Sequence, residues 1–457
     1  MTIPPHSPVI LQILPALEQG GVERGTLEMA DAITQAGGTA LVMSAGGRLV
    51  PSLERLGAQH HTLPRCGSKN PLSILRNAGT LARFIRQNNV ALVHARSRAP
   101  AWVARLACNR TGTPFVTTWH GVHANNFPGK KRYNAVLASG DRVIAISQHI
   151  GQRLAQEYHV GPDRLRVIPR GADITQFSPD AVSGQRVHRL GESWDVPAGV
   201  PVLLMPGRLT EWKGQRFLLD ALARVKQTAP LMPWVCVFAG SCPPGHAYGE
   251  ALVAHARTLG LTEQVRFAGH CQDMPAAMAL AALVIIPSLR PEPFGRVVVE
   301  AQAMSRPVIV TAHGAALETV QHGLTGLSVP PGDVQALAEA IASILHAPPE
   351  ALHAMGEAAR ATVLAHYTTH AMQQATLSVY DELLGTSLHK NEAPPLSGPV
   401  RCRIRDAACP PAFSDTGPLW GACHDQLSTS LRSPVTRADQ SAGTYCLYGR
   451  PDRSRPA

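Results

Sequence analysis

Two glutamates eight positions apart, Glu292 and Glu300, bracket the segment Glu292-Pro293-Phe294-Gly295-Arg296-Val297-Val298-Val299-Glu300, and this is the part of the chain best suited to chemistry. Prolines at 291 and 293 block helix before Phe294, so a helix is expected to open near Gly295 with its unpaired N–H groups facing outward. Such a helix start attracts an anion, and a glycine there lets a phosphate approach the backbone without a Cβ in the way. The spacing puts Glu300 about one and a half turns into the helix and Glu292 in the loop before it, so both carboxylates can flank one ligand. Taken alone, each is equally a solvated side chain beside an ordinary helix start.

A second group is Gly207-Arg208-Leu209-Thr210-Glu211-Trp212-Lys213-Gly214, between an apolar run and an amphipathic stretch. Arg208 and Lys213 are two cations able to neutralise a departing diphosphate. No Asp-x-Asp occurs to hold a divalent metal for that task, so no metal or cofactor is expected. Gly20-Gly21-Val22-Glu23-Arg24-Gly25 is a third loop, whose glycines admit another molecule to the backbone, although tight turns use paired glycines as well. His120, in Thr118-Trp119-His120-Gly121-Val122-His123, is the histidine best placed to face a ligand, because it ends an apolar run just before a glycine.

These loops need elements to hold them. Short β-rich runs recur at Val9–Leu14, Thr39–Met43, Ala91–His94, Pro114–Thr118, Arg142–Ile146 and Leu165–Ile168, separated by amphipathic helical stretches. That alternation implies a parallel sheet with crossover helices. Around residues 180 to 200 the pattern lapses into Ser, Gly, Pro and charge, then restarts at Val202–Gly207 and runs through Trp234–Phe238, Val265–Phe267, Leu283–Ile286, Pro307–Val310 and Gly326–Val329. The expected domains are 1–185 and 186–387, both Rossmann-like, with Ala-rich helices from Asp333 to Leu384 whose last member can return to the first domain. In open sheets of this kind ligands bind at the C-terminal ends of the strands, which is where all four loops fall. Residues 388–457 are rich in Pro, Ser, Arg and Gly and are expected to be a disordered tail; Cys402, Cys409, Cys423, His424 and Cys446 there include no Cys-x-x-Cys pair.

The chain has 457 residues, enough for two substantial cores. It lacks an apolar run of the roughly 18 residues needed to cross a bilayer and a signal-peptide pattern at its start, so it reads as cytoplasmic or peripheral on the inner face of the cytoplasmic membrane. Nine scattered cysteines suit a reducing compartment. The net charge of +10 is concentrated in residues 1–180, where 20 Lys and Arg face 10 Asp and Glu. That half, with Arg83 and Arg86 on one expected helix and Lys130-Lys131-Arg132 in an expected loop, suits phosphates or an anionic membrane surface. Nucleic acid is disfavoured by the absence of zinc-finger spacing and RNP-like motifs.

Taken in order, these segments resemble the family 4 glycosyltransferases of the GT-B fold. The resemblance runs from about Val9 to Leu384 and includes Gly20-Gly21, Trp119-His120-Gly121, Val167 through Asp173, Gly207-Arg208 with Lys213-Gly214, the Glu-x7-Glu spacing of Glu292 and Glu300, and Gly314 through Glu318 before Gly323-Leu324-Thr325-Gly326. It implies two Rossmann-like domains around a cleft, a nucleotide-diphosphate-sugar bound by the second domain, and transfer of the sugar with retention of configuration. It further implies that Glu300 holds the ribose hydroxyls, Glu292 touches the transferred sugar, Arg208 and Lys213 meet the diphosphate, and His120 acts from the acceptor side. Gly21, Phe294 and Gly295 complete the implied donor-binding set. Arg170 stands where the family usually has Asn, and His313-Gly314-Ala315 replaces the commoner paired glycines. The implied setting is lipopolysaccharide or exopolysaccharide synthesis in bacteria, with a cell-envelope glycan or a lipid-linked acceptor. The rival readings are a sugar-nucleotide 2-epimerase and a non-catalytic nucleotide-sugar-binding protein.

Overall fold

In the computed structural model, residues 7–18, 20–123, 129–242 and 247–390 are described. The expected tail beyond 390, with its five Cys and His candidates, lies outside them. The chain forms two all-parallel sheets. The first has seven strands, β1 (Val9–Ile13), β2 (Thr39–Ser44), β3 (Gln59–Thr62), β4 (Val90–Ala95), β5 (Phe115–Trp119), β6 (Arg142–Ala145) and β7 (Leu165–Val167), in the order β3-β2-β1-β4-β5-β6-β7. The second has six, β8 (Val202–Pro206), β9 (Val235–Ala239), β10 (Val265–Gly269), β11 (Leu283–Ile286), β12 (Val308–Thr311) and β13 (Leu327–Val329), in the order β10-β9-β8-β11-β12-β13. Each order reverses beside its first strand, between β1 and β4 and between β8 and β11, and this leaves a crevice at the C-terminal edge of each sheet.

Every expected strand is present within a residue or two, because these runs are largely buried on both faces and are therefore predominantly apolar. β3 was not expected. It is an edge strand reading Gln-His-His-Thr, with neither alternation nor an apolar run to betray it. The strand pairing that creates it comes from β2, through Leu41 opposite Gln59 to Ser44 opposite Thr62.

The Ala-rich region forms three helices, Val334–His346, Pro349–His366 and Thr369–Leu384. The last packs on helix Gly21–Gln35 of the first sheet, with Tyr380, Leu377 and Met372 joining Ile10, Met29 and Ile33 in one core cluster. Gly385 (φ 66°) ends it in the left-handed conformation that glycine adopts without strain. Leu388–Lys390, expected to belong to the tail, form a 3-10 turn anchored by the Asp381 carboxylate, which accepts from the backbone N–H of Leu388 (2.8 Å) and His389 (3.0 Å). Lys130–Asn134 also departs from expectation, as one short helix rather than a loop. No described helix is long and apolar enough to cross a membrane.

Candidate functional site

The loop after β8 is held down by the loop after β11. Gly214 has φ 83°, and a Cβ on it would collide with the Pro287 carbonyl; the Leu289 N–H donates to Trp212 O at 2.7 Å. This contact lets the turn Glu211–Lys213 deliver its lysine inward: Lys213 Nζ lies 2.6 Å from Glu292 Oε1 and 4.5 Å from the centroid of the Trp212 ring. The hydroxyl of Ser288 donates to the same carboxylate oxygen at 2.6 Å, and Glu292 is only 8% exposed. The strand β12 fixes the loop from the other side, since Thr311 Oγ1 (2.6 Å) and the His313 ring (Nε2, 2.8 Å) both donate to Ser288 O. Gly314, with φ 62°, brings its backbone so close to Glu292 that a Cβ would sit 2.8 Å from the Glu292 oxygen. The Ala315 N–H donates to that oxygen at 3.2 Å. The His-Gly-Ala departure therefore keeps the one glycine that the approach requires. Arg208 is exposed at the same edge.

Helix Arg296–Ala303 starts as its sequence implied, from Gly295 in the left-handed region (φ 84°). Phe294 corrects the sequence reading: its side chain is buried in the core against Tyr367 rather than presented to a ligand. Glu300 is buried, and burial raises its pKa against the opposing pull of Arg296 and Arg24. Those two arginines stand 3.4 Å (Nε) and 3.7 Å (Nη1) from Glu300 Oε1.

Arg24 and Glu28 belong to helix Gly21–Gln35 of the first sheet, and Glu28 spans two arginines, Arg296 (2.9 Å) and Arg170 (3.1 Å). Arg170 also donates to Gly21 O at 3.1 Å. Burial pulls its pKa down to about 9, with Glu28 opposing, so it remains charged at neutral pH. Gly25 is explained by this contact, because any Cβ there would overlap the Arg170 guanidinium. Gly21, by contrast, has open space where a Cβ would point. The expected loop Gly20–Gly25 is in fact the start of this helix, and its glycines serve two ends, Gly25 admitting an arginine and Gly21 leaving room at the cleft. Arg170 ties the loop after β7 to the helix after β1.

On the opposite wall, His120 follows β5, and its Nε2 is buried without a hydrogen-bond partner. Burial, reinforced by Arg170 and Arg96, pushes its pKa well below the usual histidine value, so the imidazole is neutral. Behind it runs a buried polar network. His94 bonds Tyr380 Oη through Nδ1 and Thr118 Oγ1 through Nε2, both at 2.7 Å; Arg96 Nε donates to Gln12 Oε1 at 2.7 Å, while Arg96 Nη2 has no partner. The sheets also touch directly. Ser147 Oγ donates to Pro293 O (2.7 Å), and the Glu318 carboxylate accepts the backbone N–H groups of Gln148 (2.8 Å) and His149 (2.7 Å) at the start of helix Gln148–Tyr158.

The structure therefore gathers Glu292, Lys213, Gly295 and Glu300 at the crevice of the second sheet, with Arg208 at its rim. His120 and Gly21 stand at the crevice of the first. Sequence reasoning missed Ser288, Arg24, Glu28, Arg96, Arg296 and Ser147. Only Arg96 carried a local signal, a charge directly after an apolar strand; the others look like ordinary helix and loop residues.

Two parallel-sheet Rossmann-like domains, each with its candidate ligand loops at the C-terminal ends of its strands, define the GT-B architecture. Residues 190–362 match the family described as glycosyl transferases group 1, and residues 19–176 match glycosyltransferase family 4. The chain belongs to the family 4 glycosyltransferases. Among its relatives, the D-inositol 3-phosphate glycosyltransferase of Rhodococcus erythropolis is 31% identical over 275 residues, 56% of this chain and 60% of that protein's length. A crystal structure of a glycosyltransferase from Rickettsia africae is 35% identical with a TM-score of 0.76, covering 84% of this chain and all of the other. Anabaena HepE in complex with UDP and glucose is 26% identical with a TM-score of 0.71, covering 81% of this chain and 99% of the other.

Proposed function

We propose that this chain moves a sugar from a nucleotide-diphosphate-sugar, with retention of configuration and without a metal ion, onto a cell-envelope glycan or lipid-linked acceptor. The observation that carries the reading is the Lys213–Glu292 pair at 2.6 Å, set beside the helix start at Gly295, with Glu300 buried in the helix that begins there. In this reading Glu300 takes the ribose hydroxyls, and Glu292 takes hydroxyls of the transferred sugar. Arg208, Lys213 and the N–H groups after Gly295 receive the diphosphate. As the bond from the sugar carbon to the diphosphate oxygen breaks, negative charge grows on that oxygen, and these groups stabilise it without a metal. The same oxygen takes the proton of the acceptor hydroxyl as the new bond forms on the same face. Neutral His120 offers Nε2 to the sugar without placing a positive charge against the cationic sugar carbon.

The basic first half is proposed to rest on an anionic membrane, where each basic residue near the surface contributes about 1 kcal/mol. The Rhodococcus relative, a D-inositol 3-phosphate glycosyltransferase, favours a second acceptor reading, a small phosphorylated polyol. Arg98, Arg153 and Lys130, whose charges add to the effect of burial in lowering the His123 pKa to about 4, would suit that anion. A thermal-shift panel of UDP-, GDP- and ADP-sugars, followed by nucleotide release with and without acceptor, tests the proposal. Stabilisation by one donor with acceptor-dependent release supports transfer; acceptor-independent epimerisation, or binding without turnover, would replace it by one of the rival readings.

A further inference from the structure

Between Glu54 and Asp141 the chain contains no acidic residue at all, while Arg and Lys occur 13 times. This stretch builds β3, β4 and β5 with the helices Pro71–Gln87, Arg98–Thr111 and Lys130–Asn134. The first of these helices is the informative one. It buries Asn77, Ala78, Leu81, Ala82 and Ile85, yet at its start Leu72 is 76% exposed and Leu75 50% exposed. At 100° per residue these two leucines lie on one stripe with Arg76, Arg83 and Arg86, all exposed. The stripe is rigidly mounted. Asn70 Oδ1 accepts from the Leu72 N–H (2.9 Å), Pro71 opens the helix, and Arg86 Nη2 donates to Arg110 O (3.1 Å) on the neighbouring helix.

The helix leaves β3 at the C-terminal edge of the first sheet, the edge that also carries Arg96 and His120. A soluble polyanion would reward the arginines but gain nothing from two leucines held in water. An anionic bilayer rewards both, taking the apolar side chains below its headgroups and the guanidinium groups among its phosphates. We propose that the start of helix Pro71–Gln87 is a membrane seat, with Leu72 and Leu75 inserted and Arg76, Arg83 and Arg86 on anionic headgroups. The seat turns the cleft edge toward the surface from which a lipid-linked acceptor projects. It rests on the membrane reading given above and adds where the contact is.

The test is flotation of the full chain with phosphatidylglycerol-containing vesicles and with purely zwitterionic ones. Wild type is expected on the anionic vesicles only. Leu72→Ser/Leu75→Ser and Arg76→Gln/Arg83→Gln should each bind about tenfold more weakly at unchanged melting temperature, because these four side chains are exposed. A Leu72→Trp variant should shift its emission to the blue on anionic vesicles and be quenched by brominated acyl chains. No preference for anionic vesicles, or capture of RNA with no vesicle binding, would overturn both the seat and the membrane reading. Binding that survives both helix variants but disappears in Lys130→Gln/Lys131→Gln/Arg132→Gln would leave the membrane reading standing and overturn the seat.

Discussion

Glu318 offers the sharpest test of how the two halves are held together. Its carboxylate, on the second domain, caps the first turn of helix Gln148–Tyr158 on the first, accepting two N–H groups at 2.7 and 2.8 Å, while its own carbonyl accepts the Tyr367 hydroxyl at 2.9 Å. Helix starts carry partial positive charge, so the interaction combines two charge-assisted hydrogen bonds with a favourable dipole term. In water-excluded surroundings such bonds contribute about 1.5–3 kcal/mol each. Gln148 is exposed, however, and water can replace the carboxylate once the halves part. A net value of about 2 kcal/mol is therefore reasonable, and Glu318→Ala should move the closed-to-open balance roughly thirtyfold toward open. Glu318→Gln keeps one acceptor oxygen and should fall between. The helix itself should survive, because Ser147 Oγ still accepts from the Ile150 N–H at 3.2 Å. Small-angle scattering of the free enzyme should show a larger radius of gyration for the alanine variant, and saturating donor should recover most of the difference. An alanine variant with the wild-type radius and wild-type donor dependence would refute the reasoning.

Other expectations follow from the same geometry. Glu300→Gln should weaken donor binding in titration calorimetry, whereas Lys213→Ala should mainly slow turnover, by about a hundredfold or roughly 3 kcal/mol; wild-type rates in both would rule out this donor site. Activity should persist in excess EDTA, and a strict requirement for Mn²⁺ or Mg²⁺ would contradict the metal-independent reading. The pH dependence of stability has a definite sign. His94, His120 and His123 have depressed pKa values in the folded state, chiefly through burial, with His123 at about 4. The unfolded chain takes up protons on these residues first, so the stability they confer is present above about pH 6.5 and is lost as the pH falls toward 4. Thermal melts across that range should show it, and a melting temperature that rises on acidification would refute it.

Two apolar sheets announce themselves because a parallel strand buried on both faces is dominated by apolar side chains for several residues, whatever polar members it also carries. The start of helix Arg296–Ala303 was equally legible, since Pro291, Pro293 and Gly295 restrict the backbone locally and leave few alternatives. Glu292, Lys213 and Glu300 could likewise be expected at one sheet edge, because the C-terminal ends of all strands in a parallel sheet lie together. What the sequence could not carry was pairing across distance. Glu28 reads as a surface residue of an amphipathic helix until folding places Arg170 and Arg296 on either side of it. Gly25 reads as a ligand loop until the Arg170 guanidinium fills the space. Phe294 reads as part of a binding motif until Tyr367, distant in sequence, packs against it. Local sequence fixes backbone conformation over a few residues. Which charge meets which, and which side chain is enclosed, depends on segments up to hundreds of residues apart, as with His94 and Tyr380, and only the tertiary structure brings these together.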